Sequence, residues 1–358
     1  MGDFILIPAL SGSFSFFKKE TEHFSRPLQW WVKGAVVYYP YLLISYGACK
    51  YALPEIPADK VRSFLNAEEA VVFTDSGGLQ METLGVRLSP KESFEWQCKV
   101  GDYIFVLDLP PVAIGRGRYT FEHLKKCAEV TRNNIEAVKE DYKKCDKKIY
   151  GILHGRNEEM LEYWFEMCVQ PYLDDIFYGV AFGVRPEHNF ELMALIVSFL
   201  KKKGVKRIHA LGIGSMNAMA LLIEASDYFE LVTSDTTTFT MKAARGKAIP
   251  PLLTRKSEIF AGKRLLRQAG YKNVYDFCMC PVCTYARENN LDALSLRKVY
   301  GYTFLSLHNL WVLLQYMKVL KFFKKMGHSV VDLVELEPRV LKAIQTIKED
   351  RRGVSKWF

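Results

Sequence analysis

Seven short, nearly unbroken apolar runs punctuate the chain, at 42–46, 70–74, 103–107, 149–153, 178–182, 208–211 and 231–234. They are rich in β-branched and aromatic residues and are bounded by turn residues, which marks them as strands. Apolar character that does not alternate is how strands buried on both faces look, so a parallel sheet is expected. The gaps between the runs carry a helical period. In 121–141, Leu124, Cys127, Ala128, Thr131, Ile135 and Val138 recur at helical spacing, and 159–168, 190–202 and 216–225 follow the same rule. Strand and helix in regular alternation predict an α/β protein with right-handed crossovers. So many strands in so short a stretch favour a closed (β/α)₈ barrel of the TIM type over a doubly wound sheet. The eighth strand is expected within 248–254. The aromatic-rich first 40 residues are expected to add a strand pair or a cap.

Composition narrows the class. The chain has 358 residues, 49% hydrophobic and 25% charged, which excludes disorder and collagen-like structure and suits one barrel domain over 1–358. No apolar run reaches the roughly 18 residues of a membrane span. Met1-Gly2-Asp3-Phe4 lacks the basic start of a secretory signal, so a cytoplasmic protein is expected. The net charge of +9 invites a polyanionic partner. Much of the excess lies late, in Lys242, Arg245, Lys247, Arg255, Lys256, Lys263, Arg264 and Arg267, then in Lys318, Lys321, Lys324 and Lys325, then in Arg351, Arg352 and Lys356. These residues make either a solvated face or a phosphate-contacting surface near the barrel rim.

Five cysteines are scattered, but Cys278, Cys280 and Cys283 are clustered, and His308 follows. Thiolates at this spacing converge on one cation, and a distant imidazole completes four N/S ligands with no open position, the chemistry of a structural Zn²⁺ site. A disulfide and a core histidine are the alternatives. Acids end three strands. Asp75 opens the Asp75-Ser76-Gly77-Gly78 turn, Asp108 follows the third run, and Asp235 follows the last. His154 ends the fourth run. In a barrel these positions share the catalytic rim. Carboxylates gathered there are driven apart in pKa and can serve as nucleophile and acid/base at a glycosidic carbon. Each acid could instead merely cap the following helix. The Gly212-Ile213-Gly214-Ser215 turn before a helix is a candidate phosphate site.

Together these features resemble the tRNA-guanine transglycosylase superfamily. The likeness rests on Thr74-Asp75-Ser76-Gly77-Gly78-Leu79-Gln80, Asp108, Gly151-Ile152-Leu153-His154-Gly155, Gly179-Val180-Ala181-Phe182-Gly183, Leu211-Gly212-Ile213-Gly214 and the Cys/Cys/Cys/His set, over roughly residues 42–310. The resemblance implies a barrel with a zinc-binding subdomain inserted near the C-terminus, at about 271–310. It implies exchange of guanine in a polynucleotide for a 7-deazaguanine base through a covalent aspartyl intermediate. Asp75 then corresponds to the acid/base, and Asp108 to the carboxylate that grips the amidine edge of the base. Ser76, Gln80, Gly179 and Ala181 line the base pocket, with Leu211 in its apolar wall. The nucleophile is Asp235, at the mouth end of its strand, or Glu230, which falls nearer the family position by count.

The chain departs from the usual pattern at three places. Leu79 replaces an aromatic, His154 replaces a glutamine that binds the ring carbonyl, and Thr236-Thr237-Thr238 replaces Pro-Thr-Arg. These departures resemble the branch that inserts 7-deazaguanines, the 7-cyano form foremost, into DNA in bacterial modification systems and phages. A phage-encoded chain would work in the host cytoplasm. DNA is the expected partner, with tRNA the alternative, and a homo-oligomer or accessory protein is left open. The rivals are a queuosine- or archaeosine-pathway tRNA enzyme, a non-catalytic nucleic-acid-binding subunit, and an unrelated phosphate-binding barrel.

Overall fold

The computed structural model describes residues 2–10, 24–52, 54–78, 88–111, 119–183, 189–250, 259–260, 278–289, 299–330 and 336–349. Eight parallel strands form one sheet: β1 (Asp3–Pro8), β2 (Tyr41–Ser45), β3 (Val71–Asp75), β4 (Tyr103–Phe105), β5 (Lys148–Leu153), β6 (Phe177–Gly183), β7 (Arg207–Leu211) and β8 (Leu231–Thr236). Their order runs β1-β8-β7-β6-β5-β4-β3-β2. The two ends of that order meet at the parallel Ala9–Leu43 bridge, where the Leu10 N–H donates to the Leu43 carbonyl at 3.0 Å. The expected (β/α)₈ barrel is therefore the observed one.

The eighth strand is not where it was expected. It is β1, six residues at the start of the chain, paired with β8 so that Ile7 lies beside Asp235. Ala248 instead belongs to a two-residue strand, Lys247–Ala248, antiparallel to Ile259–Phe260 and outside the barrel. β1 closes the barrel by pairing in parallel with β8 on one side and meeting β2 at the Ala9–Leu43 bridge on the other. Segment 24–40 acts as the expected cap. Trp30 packs on Trp31 and Phe239, and its indole N–H donates to the Tyr41 carbonyl at the start of β2.

The expected helix over 121–141 is two helices, Phe121–Glu136 and Lys139–Lys144. Val138 leaves helical backbone at φ −129° and ψ 17°. Both Val138 and Tyr142 are then buried, and the Tyr142 ring meets Phe94 edge-on at 4.9 Å. The break at Val138 thus keeps both side chains in the core while dividing the helix that the period suggests.

The barrel interior is aromatic. Phe105 lies 5.3 Å from Tyr150 and 4.9 Å from the His209 ring. Outside it, Gln97 on helix Pro90–Val100 stitches β3 to β4. Its amide donates to the Phe105 carbonyl at 2.9 Å, and its oxygen accepts from the Phe105 N–H at 3.1 Å and the Thr74 hydroxyl at 3.2 Å. This buried amide fixes the two strands whose ends carry Asp75 and Asp108. No helix among the described residues is long and apolar enough to cross a membrane.

Candidate active site

Parallel strands bring their C-terminal ends to one rim. Asp75 ends β3, Asp108 follows β4, His154 follows β5, Leu211 ends β7 and Asp235 lies near the end of β8. Sequence order alone therefore gathers three acids at one mouth.

Asp75 is the acid that the site most perturbs. Its pKa is pushed from 3.8 up to about 6, first by desolvation, then by the charge of Asp108 and, more weakly, of Asp235. Ser45 and the Gly77 N–H partly oppose that rise. The turn after it requires its glycines. Gly77 has φ +89°, and any Cβ there would lie 2.6 Å from the Gly47 backbone nitrogen. A Cβ on Gly78 would lie 2.6 Å from Asp108 Oδ1. The Gly-Gly turn thus lets backbone close against the Asp108 carboxylate at the rim. Ser76 is fully buried beside these acids, and its hydroxyl finds no hydrogen-bond partner among the described residues. A buried orphan hydroxyl is costly unless a ligand meets it.

Asp108 is buried, and its Oδ2 lies 2.7 Å from His154 Nε2. The imidazole N–H donates to the carboxylate, so His154 holds Asp108 in place. Its ring packs edge-on against Trp164 at 4.7 Å.

Asp235 Oδ1 accepts from the Gly212 N–H at 2.7 Å and from His209 Nε2 at 3.2 Å. In the Gly212 turn, a candidate phosphate site, the Gly212 N–H is thus taken by this carboxylate. Gly212 takes φ +69°, which aims its N–H at Asp235. The alternate nucleophile Glu230 precedes β8 at the opposite end of the barrel and pairs with Arg207. It lies on the wrong side of the sheet's length to reach the mouth.

On β6, strand register decides which of the residues singled out in the sequence reach the rim. Register places Gly183 beside Leu211 and Phe182 beside Leu153. Ala181 lies beside His209, two residues lower, and Gly179 lower still, packed against Tyr150 and Arg207. At about 3.3 Å per residue, Gly179 is more than 10 Å below the rim, so the structure does not bring it to the other candidates. Gln80 and Leu79 lie outside the described residues.

Cys278, Cys280, Cys283 and His308 are all buried, and their ligand atoms lie within 4.8 Å of one another. The three sulfurs stand 3.6, 3.4 and 3.3 Å from His308 Nδ1. A tetrahedral Zn²⁺ with ordinary bond lengths requires S···N edges of about 3.5 Å. His308 Nε2 donates to the Ile249 carbonyl at 3.0 Å, which leaves Nδ1 as the ligand atom. The chain therefore offers a closed, tetrahedral Cys₃His site that suits structural zinc and supplies no catalytic position. Neighbouring Asn309 accepts from the Ile249 N–H and donates to the Phe239 and Lys247 carbonyls. These bonds tie the metal site to the segment that leaves β8 just after Asp235.

The late basic residues divide. Lys321 pairs with Asp3 and donates to the Phe4 carbonyl. Lys324 is buried and donates to the Ile223 and Glu224 carbonyls, ending helix Met216–Ala225. Both are fastened at the floor of the barrel, so they are neither a solvated face nor a phosphate surface at the rim. Their helix, Val299–Lys325, is long enough to run from the metal site to that floor. Arg255, Lys256, Lys263, Arg264, Arg267, Arg351, Arg352 and Lys356 lie outside the described residues.

Sequence reasoning missed His209, Asn309 and Gln97. His209 is a lone polar residue in an apolar run, whereas Gln97 sits among charged helix residues and Asn309 beside a metal ligand, and for each only the neighbouring strand or segment reveals its partner. No curated protein matches the chain significantly. The family described as Queuine tRNA-ribosyltransferase matches residues 55–322, which span the chain from the helix before β3 through the Cys₃His site. With that match over most of its length, and with its rim acids and metal tetrad in place, the chain belongs to the tRNA-guanine transglycosylase family.

Proposed function

We propose that the protein is a transglycosylase that exchanges guanine in DNA for a 7-deazaguanine base, the 7-cyano form foremost, through a covalent aspartyl-nucleotide. The observation that carries this is the mouth itself. Three carboxylates meet there with no Lys or Arg ion pair to any of them among the described residues. Asp235 is the nucleophile. Its Oδ2 attacks the anomeric carbon while the bond to guanine N9 breaks. Asp75, held near neutrality, moves the proton of the departing and arriving bases. Asp108 accepts from the amidine N–H groups of the base with the oxygen that His154 leaves open, and the Ser76 hydroxyl supplies a further polar contact. Leu211 and the β6 backbone form the wall. The target nucleotide leaves its stack to reach this depth.

DNA is favoured over tRNA by the same departures noted in the sequence. His154 is spent on Asp108 rather than on a ring carbonyl. Thr236 ends β8 and Thr238 opens the next helix, Thr238–Ala244, and the Thr236 hydroxyl accepts from the Thr238 N–H at 3.0 Å. This reading takes 1–358 as one barrel domain with a zinc-binding insertion at about 271–310, in which zinc held by Cys278, Cys280, Cys283 and His308 would stabilise the segment after β8. Mass spectrometry of nucleosides from the DNA and tRNA of cells that express the chain with a 7-deazaguanine supply tests the substrate. Modified deoxyguanosine is the expected product. Modification confined to tRNA establishes the alternative, and modification of neither contradicts base exchange.

A further inference from the structure

We infer that His209 is the positioning residue of the nucleophile, holding Asp235 as an oriented carboxylate and then as an oriented ester. This role rests on the base-exchange reading and deepens it. His209 is completely buried within the barrel, between Asp235 and Thr233. Its Nδ1 lies 2.8 Å from the Thr233 hydroxyl, and its Nε2 lies 3.2 Å from Asp235 Oδ1. The Asp235 carboxylate only accepts, so its bond with Nε2 places a ring proton there. Nδ1 is then left to accept from the Thr233 hydroxyl at 2.8 Å, beside which the Ile208 carbonyl lies at 3.3 Å.

Asp235 Oδ1 thus receives two N–H donors, from His209 and Gly212. Among the described residues no hydrogen bond is made to Oδ2, which is the oxygen left to attack. When Oδ2 bonds to the anomeric carbon, the electron pair of the breaking glycosidic bond goes to guanine N9. Oδ1 becomes the carbonyl oxygen of the ester and keeps both donors. In the second half-reaction the N9 of the incoming base attacks the same carbon, and the electron pair of the C–O bond returns to the carboxylate. The His209 proton does not transfer in either step. Its work is electrostatic. It fixes which oxygen attacks, and it stabilises the carboxylate as a leaving group, as preorganised donors do at an oxyanion site. The ring is held for this by aromatic contacts, with Phe73 at 5.9 Å, Phe105 at 4.9 Å and Tyr150 at 6.0 Å.

The test is exchange of labelled guanine into a guanine-containing DNA duplex and into bulk tRNA, which needs no knowledge of the incoming deazaguanine. His209→Phe keeps a flat ring in the aromatic box and removes the donor. Its kcat should fall on the order of 10²-fold, with KM for guanine and polynucleotide little changed. His209→Gln restores an N–H at the position of Nε2 and should recover to within about 10-fold of the unaltered protein. Thr233→Val, isosteric and buried, frees the tautomer and should cost kcat without altering KM, even if the Phe variant fails to fold. Normal kcat in either His209→Phe or Thr233→Val overturns the role, as does Gln no better than a folded Phe variant. No exchange by the unaltered protein on either polynucleotide overturns base exchange itself, a separate outcome.

Discussion

The two ends of this barrel treat charge in opposite ways. At the floor, each ionised group at a strand start has a partner. Arg62 holds Asp102 at 3.0 Å, Lys148 donates to the Tyr103 hydroxyl at 3.0 Å, Arg207 pairs with Glu230, and Lys321 with Asp3. At the mouth, Asp108 and Asp235 lie close enough to Asp75 to raise its proton affinity, and the described basic partners of the three acids are histidines alone. Paired charges at the floor hold the strands in register. Crowded acids at the mouth cost stability, and a fold retains such a cost where chemistry needs it.

Four substitutions sharpen or break this contrast. Asp235→Asn should lower base exchange by at least about 10³-fold while DNA binding by filter or mobility assay persists. Exchange that survives would move the nucleophile elsewhere. Cys283→Ser should release the metal, seen as loss of bound zinc by elemental analysis, and lower Tm by about 5 °C or more. An unchanged Tm would make the tetrad dispensable to the fold. Asp75→Asn should abolish exchange yet stabilise the protein. The native pKa of about 6 lies above the ordinary 3.8, so between these values the folded chain binds more protons than the unfolded one. Stability therefore falls as pH rises through that window, by about 3 kcal/mol at most, and stays lower above it. The Asn variant should show a flatter Tm profile from about pH 4 to 6 and a higher Tm at pH 7. Equal profiles would mean that Asp75 is not strained by its neighbours. The smallest effect belongs to the floor. Glu230→Gln should cost at most about 1 kcal/mol of stability by chemical denaturation and leave kcat unchanged.

The same contrast explains what could be foreseen from the sequence. Strand-end acids and the Cys₃His spacing are local signals, so Asp75, Asp108, Asp235 and the metal ligands were legible. β1 was not, because Asp3–Pro8 is a short apolar run whose meaning comes only from β8, far along the chain. The break at Val138 was hidden because Val138 and Tyr142 keep helical spacing across it, so the apolar period runs on where the backbone does not. Gly179 and Gly183 share one motif, but strand register alone shows which stands at the rim. The Gly212 turn looked like a phosphate loop, since sequence cannot show that a carboxylate already occupies its N–H.

The most direct test of the account is to denature the enzyme during turnover on a guanine-containing duplex and map the trapped nucleotide by peptide mass spectrometry. The account predicts one adduct, on the peptide that contains Asp235, and its loss in Asp235→Asn. An adduct on Asp75, Asp108 or Glu230, or turnover with no adduct at all, would contradict it.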